Sequence, residues 1–209
     1  MSSTRRAKAL SKPLSRPGRV LGLFGSPRRG GNTDILLGEF LRGCEDRGAG
    51  VERLYLSKLK VSGCLGCGAC TETGRCVVQD EMQDVYEVLD RCSRIVLACP
   101  VYFYNVPAQA KAVIDRTQAL WSRRHRAKNA PEACVAAEAR KGFLISVGAT
   151  RGKRLFEGVR LTARYFFDAL NAEYAGELFF EGVDEKGDIR KHPGAMEDCC
   201  QAGRIFASN

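Results

Sequence analysis

Cys64, Cys67, Cys70 and Cys76 lie within thirteen residues and are spaced C-x2-C-x2-C-x5-C. Two-residue gaps let consecutive thiolates turn inward around one centre. Three ligands that close together, with a fourth shortly after, suit the irons of a cubane 4Fe–4S cluster. The interleaved Gly63, Gly66, Gly68 and Gly74 supply the positive φ and close backbone approach that a tight wrap needs. Zinc sites more often separate two C-x2-C pairs by a dozen or more residues, so the spacing favours an iron–sulfur cluster over zinc. Free or regulatory thiols are the other reading. In a cluster, Cys76 has to fold back across Thr71–Arg75, and Gly74 permits that reversal.

A second chemistry lies in Gly25-Ser26-Pro27-Arg28-Arg29-Gly30-Gly31-Asn32-Thr33. The hydroxyls of Ser26 and Thr33, the Asn32 amide, Arg28 and glycine amides such as that of Gly31 stand together at a helix start, as a monophosphate cradle requires. The stretch is neither G-x-G-x-x-G nor a P-loop. A glycine turn between strand and helix is often only geometry, and it is the polar set around this one that points to phosphate. Further on, Cys99-Pro100-Val101-Tyr102-Phe103-Tyr104-Asn105-Val106-Pro107 puts aromatics beside a proline-fixed backbone. Such a segment forms one wall of a slot for a flat ring, or else fills a corner of the core. Ser146–Thr150, with Gly148 at its centre, is a small-residue loop that lines the same slot. Cys99, next to the proposed wall, is a candidate reactive thiol. The only two histidines, His125 and His192, fall outside these segments, so acid–base chemistry is not indicated.

The elements that position these loops alternate along the chain. Val20–Phe24 is a continuous apolar run, and Leu36, Leu37, Phe40, Leu41 and Cys44 recur at helical spacing. Val51–Leu56 reads as a strand, and a cysteine loop follows at about 60–80. Met82, Val85, Tyr86 and Leu89 mark a helix, and Ile95–Ala98 a strand. Val106, Ala110, Val113, Ile114 and Thr117 share one helical face. Phe143–Val147 is a strand, Leu155 to Phe166 a helix, Glu173–Phe180 a last strand, and Pro193 opens a terminal helix. Strands alternating with helices predict a parallel sheet covered on both faces. Glu52 and Arg53 in the second strand, and Glu173 and Glu177 in the fifth, assign those two to the edges. The resulting fold is an α/β, flavodoxin-like, doubly wound five-stranded parallel sheet of order 2-1-3-4-5, with its ligand beyond the carboxyl ends of the first and third strands. Ser122–Arg140, rich in arginine, reads as a surface insertion. Cys44 and Cys92 read as small core residues, Asp115 and Arg116 as a structural pair or as residues that orient a helix end rather than act in catalysis, and Cys199 and Cys200 have no assigned role.

The formal net charge of +9 is concentrated at one end: residues 1–19 contribute +6 and contain no acid, which leaves +3 for the rest. That predicts a disordered basic arm at 1–18 and a single domain at 19–209, with no nucleic-acid partner, since no basic and aromatic interleaving occurs elsewhere. Val20–Phe24 is too short for a secretory or membrane-spanning segment, and no apolar stretch follows Thr4-Arg5-Arg6 before Pro13 and Pro17. A cytoplasmic, reducing compartment is expected, with the ten cysteines available for metal rather than disulfides.

Gly25-Ser-Pro-Arg-x-x-Gly-Asn-Thr33, the cysteine loop, Cys76-Val-Val-Gln-Asp80 leading to Met82, Pro100-Val-Tyr-Phe103 and Lys111-Ala-Val-Ile-Asp-Arg-Thr117 together resemble the flavodoxin-like NAD(P)H-dependent FMN reductases. The likeness is to the iron–sulfur flavoproteins of anaerobes in particular, and it runs from about Arg19 to Val183. It implies non-covalent FMN, with Ser26, Arg28, Gly31, Asn32 and Thr33 at the phosphate. Pro100, Val101, Tyr102, Phe103 and Asn105 would lie at the isoalloxazine, with Gly148 near the ring. It also implies NAD(P)H or a ferredoxin-type carrier as electron donor, a small-molecule or protein acceptor, and a homodimer or homotetramer. Members differ at the cysteines, and those that keep all four bind a 4Fe–4S cluster. A cluster-free NAD(P)H:FMN or quinone reductase and a non-enzymatic flavin electron carrier are the alternative functions.

Overall fold

Strand β1 (Arg19–Phe24) is buried along almost its whole length, as five apolar or glycine residues in succession require. The computed structural model describes residues 18–128 and 140–208. The expected basic arm, apart from Gly18, and Cys134 lie outside the described residues. Strands β2 (Gly50–Tyr55), β3 (Arg94–Pro100), β4 (Arg140–Gly148) and β5 (Ala172–Glu181) complete one sheet of order β2-β1-β3-β4-β5. Every pairing in it is parallel. The described residues also form seven helices, α1 (Asn32–Glu45), α2 (Ala69–Thr73), α3 (Met82–Arg91), α4 (Ala108–Arg116), α5 (Gln118–Lys128), α6 (Glu157–Ala169) and α7 (Ala195–Ser208), of which α2 lies in the cysteine loop away from the sheet. The order matches the expectation from strand polarity, with β2 and β5 at the edges and only partly covered.

Alternation along the central strands divides the core into two layers. Leu21, Leu23, Ile95, Leu97 and Leu144 pack with side chains of α3, α4 and α6. Val20, Phe24, Val96, Phe143 and Ile145 pack with those of α1 and α7. On the second face α1 and α7 approach until their backbones nearly touch. A Cβ on Gly203 would overlap the Phe40 carbonyl, and one on Gly43 would overlap that of Cys200. Cys199 and Cys200 are buried in this contact, which gives both a packing role.

Two expectations need correction. Of the expected surface insertion Ser122–Arg140, Ser122–Lys128 continues α5 with Ser122 buried, Arg140 opens β4, and 129–139 lie outside the described residues. The helix is hard to read because it carries no apolar stripe. Ala119 and Leu120 are its buried apolar residues, and Trp121 stacks on His125 with ring centroids 3.7 Å apart. Asp115 and Arg116 do not pair with each other: Asp115 pairs with Lys111 at 2.8 Å, and Arg116 with Asp80 at 2.9 Å.

The close helix crossing makes a testable contrast. Gly203→Ala should destabilise the fold by about 1–3 kcal/mol through overpacking. Gly38→Ala, on the same layer but with no neighbour in the way, should stabilise it by about 0.5–1 kcal/mol through helix propensity. Thermal and urea denaturation of both variants would check the opposite signs.

Candidate functional site

Two loops meet at the carboxyl ends of β1 and β3. Gly25 N–H donates to the Ala98 carbonyl at 2.8 Å, and a Cβ at Gly25 would press within 3.0 Å of both that oxygen and Cys99. From there the chain makes a tight turn. Arg28 N–H donates to Ser26 Oγ at 3.1 Å, Gly31 N–H to the Arg28 carbonyl at 3.1 Å, and Gly30 sits at φ +65°. The turn ends at the start of α1, whose first amides have no intrahelical acceptor and carry the positive end of the helix dipole.

Ser26, Arg28, Gly31, Asn32 and Thr33 line one cavity with Pro100, Val101 and Tyr102, its volume about 100 Å³. Eight of the expected ligand residues are thus brought together. Ser26 and Thr33 are buried, and Arg28 has no ion-pair partner among the described residues. Arg29 turns away and lies over the Tyr55 ring, 3.2 Å from its centroid. Asn32 faces the cavity, but its side chain is committed elsewhere. Its amide nitrogen donates to the Glu185 carbonyl at 2.9 Å, and its oxygen accepts from Gly187 N–H at 2.8 Å. Asn32 therefore straps the loop after β5 across the helix start, and this brings Asp184 and Lys186 to the cavity wall. Beneath it, burial pushes the Asp34 carboxyl up, against the Gly30 amide, Arg29 and Lys186, which favour its charge.

The ring wall is only partly as expected. Tyr102 and Asn105 exchange backbone hydrogen bonds of 2.8 and 2.9 Å, closing a hairpin whose tip residues Phe103 and Tyr104 adopt φ +47° and +61°. Left-handed backbone at two bulky residues is strained and persists only when the surroundings enforce it. Here Asn105 Oδ1 accepts from Val106 N–H and from Thr162 Oγ1 at 2.8 and 2.9 Å, and the Tyr104 carbonyl lies against Gly158 of α6. Phe103 is fully exposed, and neither it nor Asn105 lines the cavity. Gly148 is also one step removed: its carbonyl accepts from Val183 N–H at 3.1 Å, and Ala149, Val147 and Val183 face the cavity instead. Cys99 is no reactive thiol. It is wholly enclosed in β3, and burial pushes its pKa up to about 12.

The four loop cysteines face one separate cavity of about 190 Å³, walled by Leu65, Val77 and Ala119 and shared with Arg116 and Gln118. Gly66, Gly68 and Gly74 take positive φ as expected, whereas Gly63 does not. Gly68 and Gly74 cap the single turn of α2, and the chain reverses there between Cys70 and Cys76. Cys64 and Cys67 are exposed, and Cys70 and Cys76 half-buried. Ser122 Oγ approaches Cys70 Sγ at 3.9 Å. The thiols ring a space rather than converge: among the described residues no three His, Cys, Asp or Glu side chains come close enough to hold a single ion. The ring of thiolate donors around an apolar cavity fits a multi-iron group. The two cavities share no lining residue.

A doubly wound parallel sheet with a helix start opening onto a crevice at its switch point is the architecture of flavodoxin-like proteins. The model of the NADPH-dependent FMN reductase family matches residues 19–153, and the chain belongs to that family. Asp184 and Lys186 lie beyond the matched segment. An iron–sulfur flavoprotein of Methanosarcina thermophila is 34% identical over 133 residues, 64% of each chain. One of Archaeoglobus fulgidus is 39% identical over 98 residues, 47% of this chain and 44% of that protein. The chain thus spans between about two fifths and two thirds of the length of these relatives. A putative NAD(P)H-dependent FMN-containing oxidoreductase of Bacillus subtilis, YwqN, is 25% identical over 180 residues, 85% of this chain and 92% of its own. Among solved structures, an NAD(P)H:quinone oxidoreductase from Methanothermobacter marburgensis superposes with TM-score 0.63 at 16% identity, over 89% of this chain and 94% of that one. It shares the fold.

Burial predicts which thiols react. In cluster-free native protein, iodoacetamide should label Cys64 and Cys67 and spare Cys44, Cys92, Cys99 and Cys199. Burial pushes all four of the latter upward, Cys92 to about 11 and the others to about 12. Peptide mapping before and after denaturation would check this.

Proposed function

We propose that the chain is an FMN-dependent oxidoreductase that takes electrons from NAD(P)H or a ferredoxin-type carrier and passes them to a small-molecule or protein acceptor through a 4Fe–4S cluster. The observation that carries the reading is the pair of cavities: an anion cradle beside a ring-binding wall, and four thiols around one apolar space. FMN, when bound, supplies hydride and single-electron chemistry that this chain's side chains cannot. His125 and His192 line neither cavity, which suits a protein whose task is binding and orientation.

Ser26, Thr33 and the first amides of α1 hold the phosphate, and Arg28 and Lys186 neutralise it. Pro100, Val101 and Tyr102 wall the ring on one side, with Ala149 from the loop after β4. Asn32 serves the phosphate through its backbone and through the strap that delivers Lys186. Cys64, Cys67, Cys70 and Cys76 ligate the cluster. A homodimer or homotetramer accounts for two cavities that share no wall, and for the exposed Phe103, Tyr104, Leu161 and Tyr165, which would be covered by a neighbouring copy. Among the described residues no helix is long and apolar enough to cross a membrane, and a cytoplasmic location fits the reading.

Iron and sulfide assays on protein purified without oxygen test the cluster. Four iron atoms per chain are expected, whereas none, with all four thiols titratable, would leave the cluster-free reductase. Anaerobic stopped-flow mixing with NADH and NADPH should bleach the flavin. Reduction by ferredoxin alone would make the protein an electron carrier.

The phosphate assignment has its own test. Thr33→Ala and Lys186→Met should each weaken FMN binding by about 1.5–3 kcal/mol, as for hydrogen bonds to a charged group. Asn32→Ala should weaken it through Lys186, so Asn32→Ala combined with Lys186→Met should cost less than the sum of the two. Additive losses in an equilibrium FMN titration would return the Asn32 amide to direct phosphate contact.

A further inference from the structure

Arg116, the last residue of α4, is among the largest fully buried side chains in the protein. Its guanidinium reaches both ends of the cysteine loop at once. Nη1 donates to the Ser62 carbonyl at 3.1 Å, to Ser62 Oγ at 3.3 Å and to Asp80 Oδ2 at 2.9 Å. Nη2 donates to the Val78 carbonyl at 3.2 Å and to Asp80 Oδ1 at 3.1 Å. Ser62 stands two residues before the first cysteine, and Val78 and Asp80 two and four after the last. Asp80 closes the same ring from the other side, accepting from Ser62 N–H at 3.0 Å and Met82 N–H at 3.1 Å. Tyr86 Oη fixes the clamp from α3 by donating to the Arg116 carbonyl at 2.8 Å. Arg116 also lines the thiol cavity, where its charge interacts with Cys76, and its Nε is buried without a partner.

We infer that Arg116 is the positioning residue of the cysteine loop, and that its cation beside the four thiols raises the reduction potential of the group they hold. The second clause rests on the cluster reading above, and the first does not. The loop's one helix is a single turn with no buried residue; it rests on α5, where Arg126 Nη1 donates to the Thr71 carbonyl at 3.3 Å, and Arg116 ties its two ends. Only a planar fork can serve a carboxylate and two flanking carbonyls together, so lysine is no substitute for this geometry. An added electron makes the cluster more negative, and a desolvated cation nearby favours that state.

The clamp is tested without the cluster. In cluster-free protein, hydrogen exchange of amides 62–80 should rise roughly tenfold or more in Arg116→Lys and Arg116→Gln. It should stay as in the wild type in Asp115→Asn, and FMN binding should be retained throughout. Asp80→Ala removes both acceptor oxygens of the fork and should give the same rise, so it decides the matter if the Arg116 variants do not fold. Exchange at 62–80 unchanged in all three clamp variants would overturn the positioning role. With the cluster assembled anaerobically, redox titration followed by electron paramagnetic resonance should give Arg116→Gln a lower potential than Arg116→Lys, which keeps the charge. Equal potentials would overturn the electrostatic role. Wild-type protein without iron would sink the cluster alone, with the exchange comparison still deciding for or against the clamp.

Discussion

Strand β1 is hydrogen-bonded on both sides and buried on both faces, and the crevice at its carboxyl end follows from that constraint. Its partners β2 and β3 lie on opposite sides, so the chain leaves the switch point in two directions and a crevice opens between the loops. Gly25 has to be small because the Ala98 carbonyl and Cys99 sit against it. The turn that follows can then deliver α1 with its unpaired amides aimed at the crevice. The same burial fixes α1 against α7 through Gly43 and Gly203. That contact in turn brings the loop before α7 back over the helix start, where Asn32 catches it.

The cysteine loop depends on the opposite device. It has no apolar core of its own, and Leu65 and Val77 are exposed. Its order is imposed from outside by a charged pair that is itself mostly buried. Burial opposes the charge on Asp80, yet the Arg116 fork and the amides of Ser62 and Met82 hold its carboxyl well below the usual carboxylate range. A carboxylate depressed in this way contributes stability above its unfolded pKa and loses it as pH falls through the folded value. The loop should thus hold its form across neutral pH and open only in strong acid. Breaking one half of such a pair leaves a buried charge uncompensated, at a cost of about 3–5 kcal/mol.

What could be read from the sequence was whatever periodicity or local residue type encodes. The sheet order was legible because Glu52, Arg53, Glu173 and Glu177 mark strands that cannot be buried on both faces. The gathering of Ser26, Arg28, Gly31, Asn32 and Thr33 at one cavity was legible because these groups are contiguous. Lys186 was not, since it reaches the cavity on a loop that returns from the far end of the sheet. Its neighbour Glu185 meets Asn32 across a separation of 153 residues, and no local pattern records that return. The partner of Arg116 was not legible for the same reason: Asp115 is adjacent in sequence, but Asp80 is adjacent in space. The α5 helix escaped because its charged sequence has no stripe. Phe103 and Asn105 were assigned to the ring because aromatic and amide groups suit one, whereas the hairpin turns the first outward and uses the second to hold itself to α6.

Cys99 shows how burial sorts chemically identical side chains. It stands one residue from the proposed flavin wall, but its place in a strand covered on both faces removes the solvent that a thiolate requires. Cys44, Cys92 and Cys199 are disabled by the same cause. The cysteines at 64, 67, 70 and 76 lie on a glycine-rich loop outside the sheet, where Cys64 and Cys67 are exposed and Cys70 and Cys76 half-buried against α5. Residues of one type are thereby sorted by their surroundings alone. The division is made by the sheet, which encloses some thiols, and by the Arg116 clamp, which presents the others as a set.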